Sequence, residues 1–157
     1  MSPPIRRRRT HRLPPDAYVG TMAAHVTIVT GLRERLFEDP RLAQACLEAL
    51  EQARSKHDAT LHAYCVMPDH VHLLVEVPGA MSLEKFMRLF KQLAGYRIKQ
   101  LTGEPAWQIS YHDRILRREE SLLDVAAYIW ENPVKAGLVE SRSDYPFSGP
   151  LEHLQPS

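Results

Sequence analysis

Cysteine is scarce in this 157-residue chain, which has two, Cys46 and Cys65. They form no CxxC clip and no disulfide framework. Both are read as buried thiols in a reducing compartment. Long apolar runs are also missing, so no segment reaches the roughly 20 residues of a spanning helix. The basic start passes into "LPPDAYVG" rather than an apolar stretch, so no signal peptide is read. The expected location is the cytoplasm, with no membrane partner. An excess of either charge is absent too: 20 Lys+Arg face 19 Asp+Glu, for a net +1. That balance says little about partners. No internal repeat is visible.

What is present suffices for one domain. Apolar residues make up 44% and charged residues 25% of the chain, which supports a core and argues against wholesale disorder. The charge is unevenly placed. "MSPPIRRRRTHR", residues 1–12, has five arginines and no acid. Residues 1–17 therefore read as a basic arm, either a solubilising tail or a contact for an anionic partner through Arg6, Arg7, Arg8 and Arg9. Residues 18–148 read as the single domain and 149–157 as a short tail.

Hydrophobic periodicity orders the elements. "AAHVTIVTG" (23–31) is β-branched and predicts a strand. "PRLAQACLEALEQARSK" (40–56) predicts a helix with Asp39 as its cap, Pro40 in its first turn, and Leu42, Ala45, Cys46, Ala49, Leu50 and Ala53 on its apolar face. "TLHAYCVM" (60–67) and "VHLLVEV" (71–77) predict a hairpin around Pro68 and Asp69. A second helix, 83–101, is expected behind Ser82 as cap. Its apolar stripe is Phe86, Leu89 or Phe90, Leu93, Ile98 and Leu101. Its other face carries Lys85, Arg88, Lys91, Arg97 and Lys99. "ISYHDRIL" (109–116) predicts a fourth strand, and a third helix, 119–130, is expected to close before Pro133. The order β-α-β-β-α-β-α predicts an α+β class, a ferredoxin-like βαββαβ sandwich with one added C-terminal helix.

His70 and His72 flank Val71 in the third strand. Side chains two apart on a strand share a face, about 6–7 Å apart. The pair is thus placed opposite Val71, Leu73 and Val75, which are assigned to the helix-covered face. Imidazoles so placed suit a divalent transition metal, or they are two packed histidines. A two-histidine site needs further ligands or water, and His62 and His112 are candidates by position. Tyr128 and Asn132 are four apart, one above the other if the helix persists. Tyr128 is then either a nucleophile beside a metal or a core aromatic.

These motifs carry a resemblance. "MPDHVHLLV" (67–75), the basic helix after it, "YHDRIL" (111–116) and "VAAYIWENPVKAGLV" (125–139) resemble the IS200-like single-tyrosine transposases, and more closely their relatives associated with repetitive extragenic palindromes (REPs). The likeness spans about 18–148. It implies an HUH metal motif at His70, Val71 and His72, a nucleophile at Tyr128, and a metal-holding polar residue at Asn132. It implies Mg or Mn as the ion and single-stranded or hairpin DNA as the partner. The implied reaction is cleavage and rejoining through a 5′-phosphotyrosine, by a nucleoid-associated monomer or homodimer. Lys85, Arg88, Lys91, Arg97, Lys99, Arg114, Arg117 and Arg118 become candidate phosphate contacts, or else solvated faces. Trp107 is a candidate base-stacking residue or a core anchor. Asp113 and Glu131 are possible further carboxylates near the metal. A non-catalytic hairpin-binding module and a metal-binding α+β protein are the alternatives.

Overall fold

A computed structural model of the chain describes residues 23–79, 82–115 and 121–150. The strands are β1 (Ala24–Thr30), β2 (Thr60–Met67), β3 (His70–Glu76), β4 (Trp107–Ile115) and β5 (Ser148–Gly149). The helices are α1 (Pro40–His57), α2 (Ser82–Thr102) and α3 (Leu122–Lys135). The sheet order is β4-β1-β3-β2-β5, and every neighbouring pair is antiparallel. The first six elements form the expected ferredoxin-like arrangement. The two-residue β5 is an addition that its length hid from periodicity.

The two sheet faces differ in cover because the strands alternate. Val26 and Ile28 of β1, with Val71, Leu73 and Val75 of β3, pack in one cluster with Cys46, Ala49 and Leu50 of α1 and Phe86, Met87 and Phe90 of α2. Ala63, Cys65 and Met67 of β2, with Leu74 of β3, pack in a second cluster with Ala126, Ile129 and Trp130 of α3. So α1 and α2 cover one face and α3 sits on the other. β3 runs through the middle and is buried on both sides over His72 and its neighbours.

Local signals account for most of the element ends. The Asp39 side chain accepts a hydrogen bond from the Arg41 backbone N–H at 2.9 Å, capping α1 ahead of Pro40. Asp58, at φ 54°, closes it in the left-handed region. Both cysteines are buried and free of disulfides. Burial pushes the Cys46 thiol up, and the Cys65 thiol up to about 12.

Three details correct the expectations. Ser82 is the first helical residue of α2, so the cap position precedes it and lies outside the described residues. Leu101, expected in the apolar stripe, is exposed, although Ile98 one turn earlier is buried. α3 does not close before Pro133 but continues to Lys135. A proline removes one donor, the one that would reach the Ile129 carbonyl. Near the helix end that loss is confined to one bond, and Pro133 is buried.

Residues 139–149 tie α3 down. Trp130 Nε1 donates to the Gly149 carbonyl at 2.9 Å, and Tyr145 Oη donates to the Val66 carbonyl at 2.5 Å. Trp107, in β4, lies between Phe37 and Phe90 and donates to the Lys91 carbonyl at 3.2 Å. It is a core anchor rather than a base-stacking surface. Among the described residues no helix is long and apolar enough to cross a membrane. Ile129 is fully buried under α3. Ile129→Ala is therefore expected to cost about 2–5 kcal/mol, read as a lowered urea midpoint with near-native helix content.

Candidate active site

The alternation that fills the core also builds the site. On β1, Ala24, Val26 and Ile28 are buried, while His25, Thr27 and Val29 between them are half-buried. Antiparallel register then sets Thr27 opposite His72, Val29 opposite His70 and His25 opposite Leu74. Cross-strand partners share a face, so His25, Thr27, His70 and His72 meet on the face that α3 covers.

His72 is the buried member, 6% exposed. Its Nδ1 lies 3.2 Å from His25 Nε2 and 3.2 Å from Thr27 Oγ1. Burial, with His70 and His25 alongside, pushes its pKa down to about 3, so the ring is neutral near pH 7. A neutral imidazole is the form that binds a metal. The ring of His70 stands almost perpendicular to it, with centroids 4.8 Å apart.

His70 is held by a different device. Its Nδ1 lies 2.7 Å from Asp69 Oδ1, and Asp69 Oδ2 lies 3.2 Å from Arg33. Partial burial raises the Asp69 pKa, but the hydrogen bond and charge of His70, with Arg33, outweigh it and leave the carboxyl below its ordinary value. The Asp69 carbonyl accepts from the Thr30 backbone N–H and hydroxyl, both at 3.1 Å, which pins the hairpin turn to the end of β1. A carboxylate on Nδ1 orients a histidine to use Nε2.

Tyr128 projects from α3 over this cluster. Its ring centroid is 6.0 Å from His72 and 6.0 Å from His25, edge-on to both. The side chain is 49% exposed, so it is not locked in the core. Lys135 Nζ lies 5.4 Å from its ring centroid, which puts a cation beside the phenol. Asn132 is one turn on, as the spacing requires, and its Nδ2 donates to the Tyr128 carbonyl at 2.9 Å.

The donor chemistry suits a hard or borderline divalent ion in part. Two imidazoles have their Nδ1 atoms engaged by protein groups, leaving Nε2 for ligation, and the Asn132 amide oxygen is the third candidate. Among the described residues no group of three or more His, Cys, Asp or Glu side chains forms a metal-holding set. Two histidines and an amide would leave the other positions to water or substrate oxygens.

Other candidates lie elsewhere. His62 is 2.9 Å from Glu76, and Glu131 is 3.7 Å from Arg142, so each has its own partner. The backbone of His112 pairs with Thr27, that of Asp113 with Val26 and that of Arg114 with His25. Their side chains, and Arg6 to Arg9, Arg117 and Arg118, lie outside the described residues. The basic residues of α2 belong to the layer on the opposite sheet face. Lys85, Arg88 and Lys99 are exposed there, whereas Arg97 donates to Glu48 at 2.8 Å and Gln52 at 3.0 Å on α1. His25, Thr27, Arg33 and Lys135 were not among the residues singled out from sequence. The period-two pattern of 24–30 places His25 and Thr27 on one side of β1, but only pairing with β3 says what they face.

Comparison with known proteins identifies the family and the fold. The family described as "Transposase IS200 like" matches residues 18–132, a span that includes His70, His72, Tyr128 and Asn132. A putative REP-associated tyrosine transposase of Haemophilus influenzae is 31% identical, over 55% of this chain and 56% of its own length. A REP-associated tyrosine transposase of Escherichia coli is 24% identical, over 67% of this chain and 62% of its own length. The chain thus spans about three fifths of the length of the curated relatives it matches. Among solved structures, a REP-associated tyrosine transposase bound to a REP hairpin superposes with a TM-score of 0.74 at 23% identity, covering 93% of this chain and 87% of that one. A putative transposase from Deinococcus radiodurans gives a TM-score of 0.56 at 23% identity, covering 77% and 97%. The solved structures show the shared fold, and the family match, which takes in well over half of the sequence, shows that this chain belongs to the IS200-like tyrosine transposases.

Proposed function

We propose that this protein nicks and rejoins single-stranded DNA near hairpins, with Tyr128 as nucleophile and a divalent ion, Mg or Mn, held by His70, His72 and Asn132. The observation that carries the reading is the approach of a half-exposed tyrosine to a neutral, buried histidine of the HUH pair, with ring centroids 6.0 Å apart. Relatives described as REP-associated transposases, one of them solved on a REP hairpin, support DNA hairpins as the substrate class.

The chemistry follows from the groups present. Tyr128 Oη attacks phosphorus, an O–P bond to the phenol forms, and the bond to the 3′ oxygen breaks. In net, the phenolic proton ends on the 3′ oxygen, leaving a 5′-phosphotyrosine and a free 3′-OH. A DNA 3′-OH reverses the step, so rejoining needs no nucleotide cofactor. When bound, the divalent ion neutralises charge on the phosphate and polarises its oxygens. Asp69 holds His70 and the His25–Thr27 pair holds His72, so the rings are oriented before DNA arrives. Lys135 adds positive charge where the phosphate must sit. Tyr128 and the histidines come from one chain, so a monomer carries a complete set, and work on DNA would place it with the nucleoid.

Incubation with end-labelled single-stranded hairpin DNA and Mn²⁺ should give a protein–DNA adduct that survives denaturation. Tyr128→Phe should abolish the adduct while leaving hairpin binding in place. An adduct formed by Tyr128→Phe removes the assignment of the nucleophile. EDTA should suppress cleavage, and His70→Ala should lower it by about 10³-fold, the loss expected when several kcal/mol of transition-state stabilisation is removed. A wild type that binds hairpins but never cleaves them would favour the binding-module reading.

Lys85, Arg88 and Lys99 are the exposed α2 cations available to a hairpin stem. Neutralising each is expected to reduce the dependence of log affinity on log salt by about 1 if it contacts a phosphate. Arg97→Ala should instead act on stability through Glu48 and Gln52. Unchanged salt slopes in all three variants would assign the basic face of α2 to solvent.

A further inference from the structure

We infer that His25 is a positioning residue that sets the tautomer of His72 and, with it, which nitrogen of His72 faces a metal. The inference rests on the reading of His72 as a metal ligand and adds a residue that the two-histidine motif does not contain.

A neutral imidazole carries one ring proton. For His72 to offer the Nε2 lone pair, that proton must sit on Nδ1. Nδ1–H then needs an acceptor, because the ring is buried and an unmatched donor there is costly. Two atoms stand within reach, His25 Nε2 and Thr27 Oγ1, each at 3.2 Å. A hydroxyl can donate as readily as accept, so Thr27 alone leaves both tautomers of His72 available. An imidazole nitrogen with a lone pair can only accept. The inference therefore assigns His25 the tautomer with its proton on Nδ1, so that its Nε2 accepts from Nδ1–H of His72 and the Nε2 lone pair of His72 is directed to the site. The same ring lies 5.3 Å from the His72 ring and edge-on to Tyr128 at 6.0 Å, so one residue steadies both the ligand and the nucleophile.

The register makes this possible. His25 is not directly opposite His72. It is opposite Leu74, one same-face step along β3, while Thr27 is opposite His72. The diagonal neighbour is near enough for a long side chain to reach, which is how two β1 residues converge on one nitrogen. His70 needs no such help, because Asp69 is adjacent in sequence and acceptor-only when ionised.

The test reads tautomer and metal affinity rather than DNA cleavage. In ¹⁵N-histidine NMR of the metal-free protein, His72 is expected to show a protonated Nδ1 and an unprotonated Nε2. The reverse pattern overturns the inference whatever the variants do. His25→Ala is expected to weaken Mn²⁺ binding about tenfold or more, measured by EPR titration, as loss of an orienting partner of a metal-binding histidine does. His25→Gln, whose Oε1 can accept where Nε2 did, should recover most of that affinity, which a purely space-filling role would not predict. Equal affinity in His25→Ala and wild type overturns the proposal. So does a larger loss in Thr27→Val than in His25→Ala. A wild type that binds Mn²⁺ with the reversed tautomer removes only the role of His25, whereas a wild type that binds no Mn²⁺ removes the metal reading as well.

Discussion

The docking of α3 on the second face of the sheet is the contact on which the site depends. In most of its length that face is floored by small or slender side chains, Ala63, Cys65, Met67 and Leu74, which let Ala126, Ile129 and Trp130 come close. The residues between and beyond those anchors on α3, Tyr128 and Asn132, are thereby carried to the edge of the apolar floor, where β3 turns from Leu74 to His72 and His70. Helix period and strand period meet there. A hydrophobic helix seam and a polar strand end are brought together by one packing event, and neither would place a phenol over two imidazoles alone. The ties from Trp130 to Gly149 and from Tyr145 to Val66 hold this seam from the far side.

Burial then decides the charge of the site. A histidine 6% exposed beside two others cannot stay protonated near neutrality, and its pKa falls to about 3. On the proposed reading, that removes a competing proton from a metal ligand, and it also removes a positive charge that a phosphate would otherwise meet. The positive charge is supplied instead at the rim, by Lys135 over the half-exposed face of Tyr128. A neutral His72 inside and a cation outside suit the polyanion of the proposed reaction, which reaches the tyrosine from solvent.

Much of this was readable from residues. The strand 60–67 and the hairpin turn at Pro68 and Asp69 follow from alternation and turn chemistry, and the face shared by His70 and His72 follows from period two. α3 was misjudged at its end because local rules penalise Pro133, while tertiary burial keeps the turn. Spacing alone left Tyr128 open between core and catalyst, and the expectation of a nucleophile came from resemblance. His25 was beyond reach for a different reason. A single histidine in a β-branched strand has no periodic partner of its own, and its meaning comes from a pairing 47 residues away. Phosphate contacts on α2 were equally undecidable, since a helix face says nothing about which side of the sheet it covers.

The two histidines illustrate how one motif can need two kinds of support. His70 lies at the mouth of the hairpin, where Asp69 precedes it and Arg33 and Thr30 fix Asp69. Sequence proximity is enough there, because a turn places a carboxylate beside the next ring. His72 lies two residues deeper, between strands, and its Nδ1 is met by residues from a neighbouring strand. Its partners come from β1, where antiparallel pairing sets Thr27 opposite and His25 diagonal. The depth that makes His72 neutral is therefore the same depth that makes its orientation a long-range property of the fold.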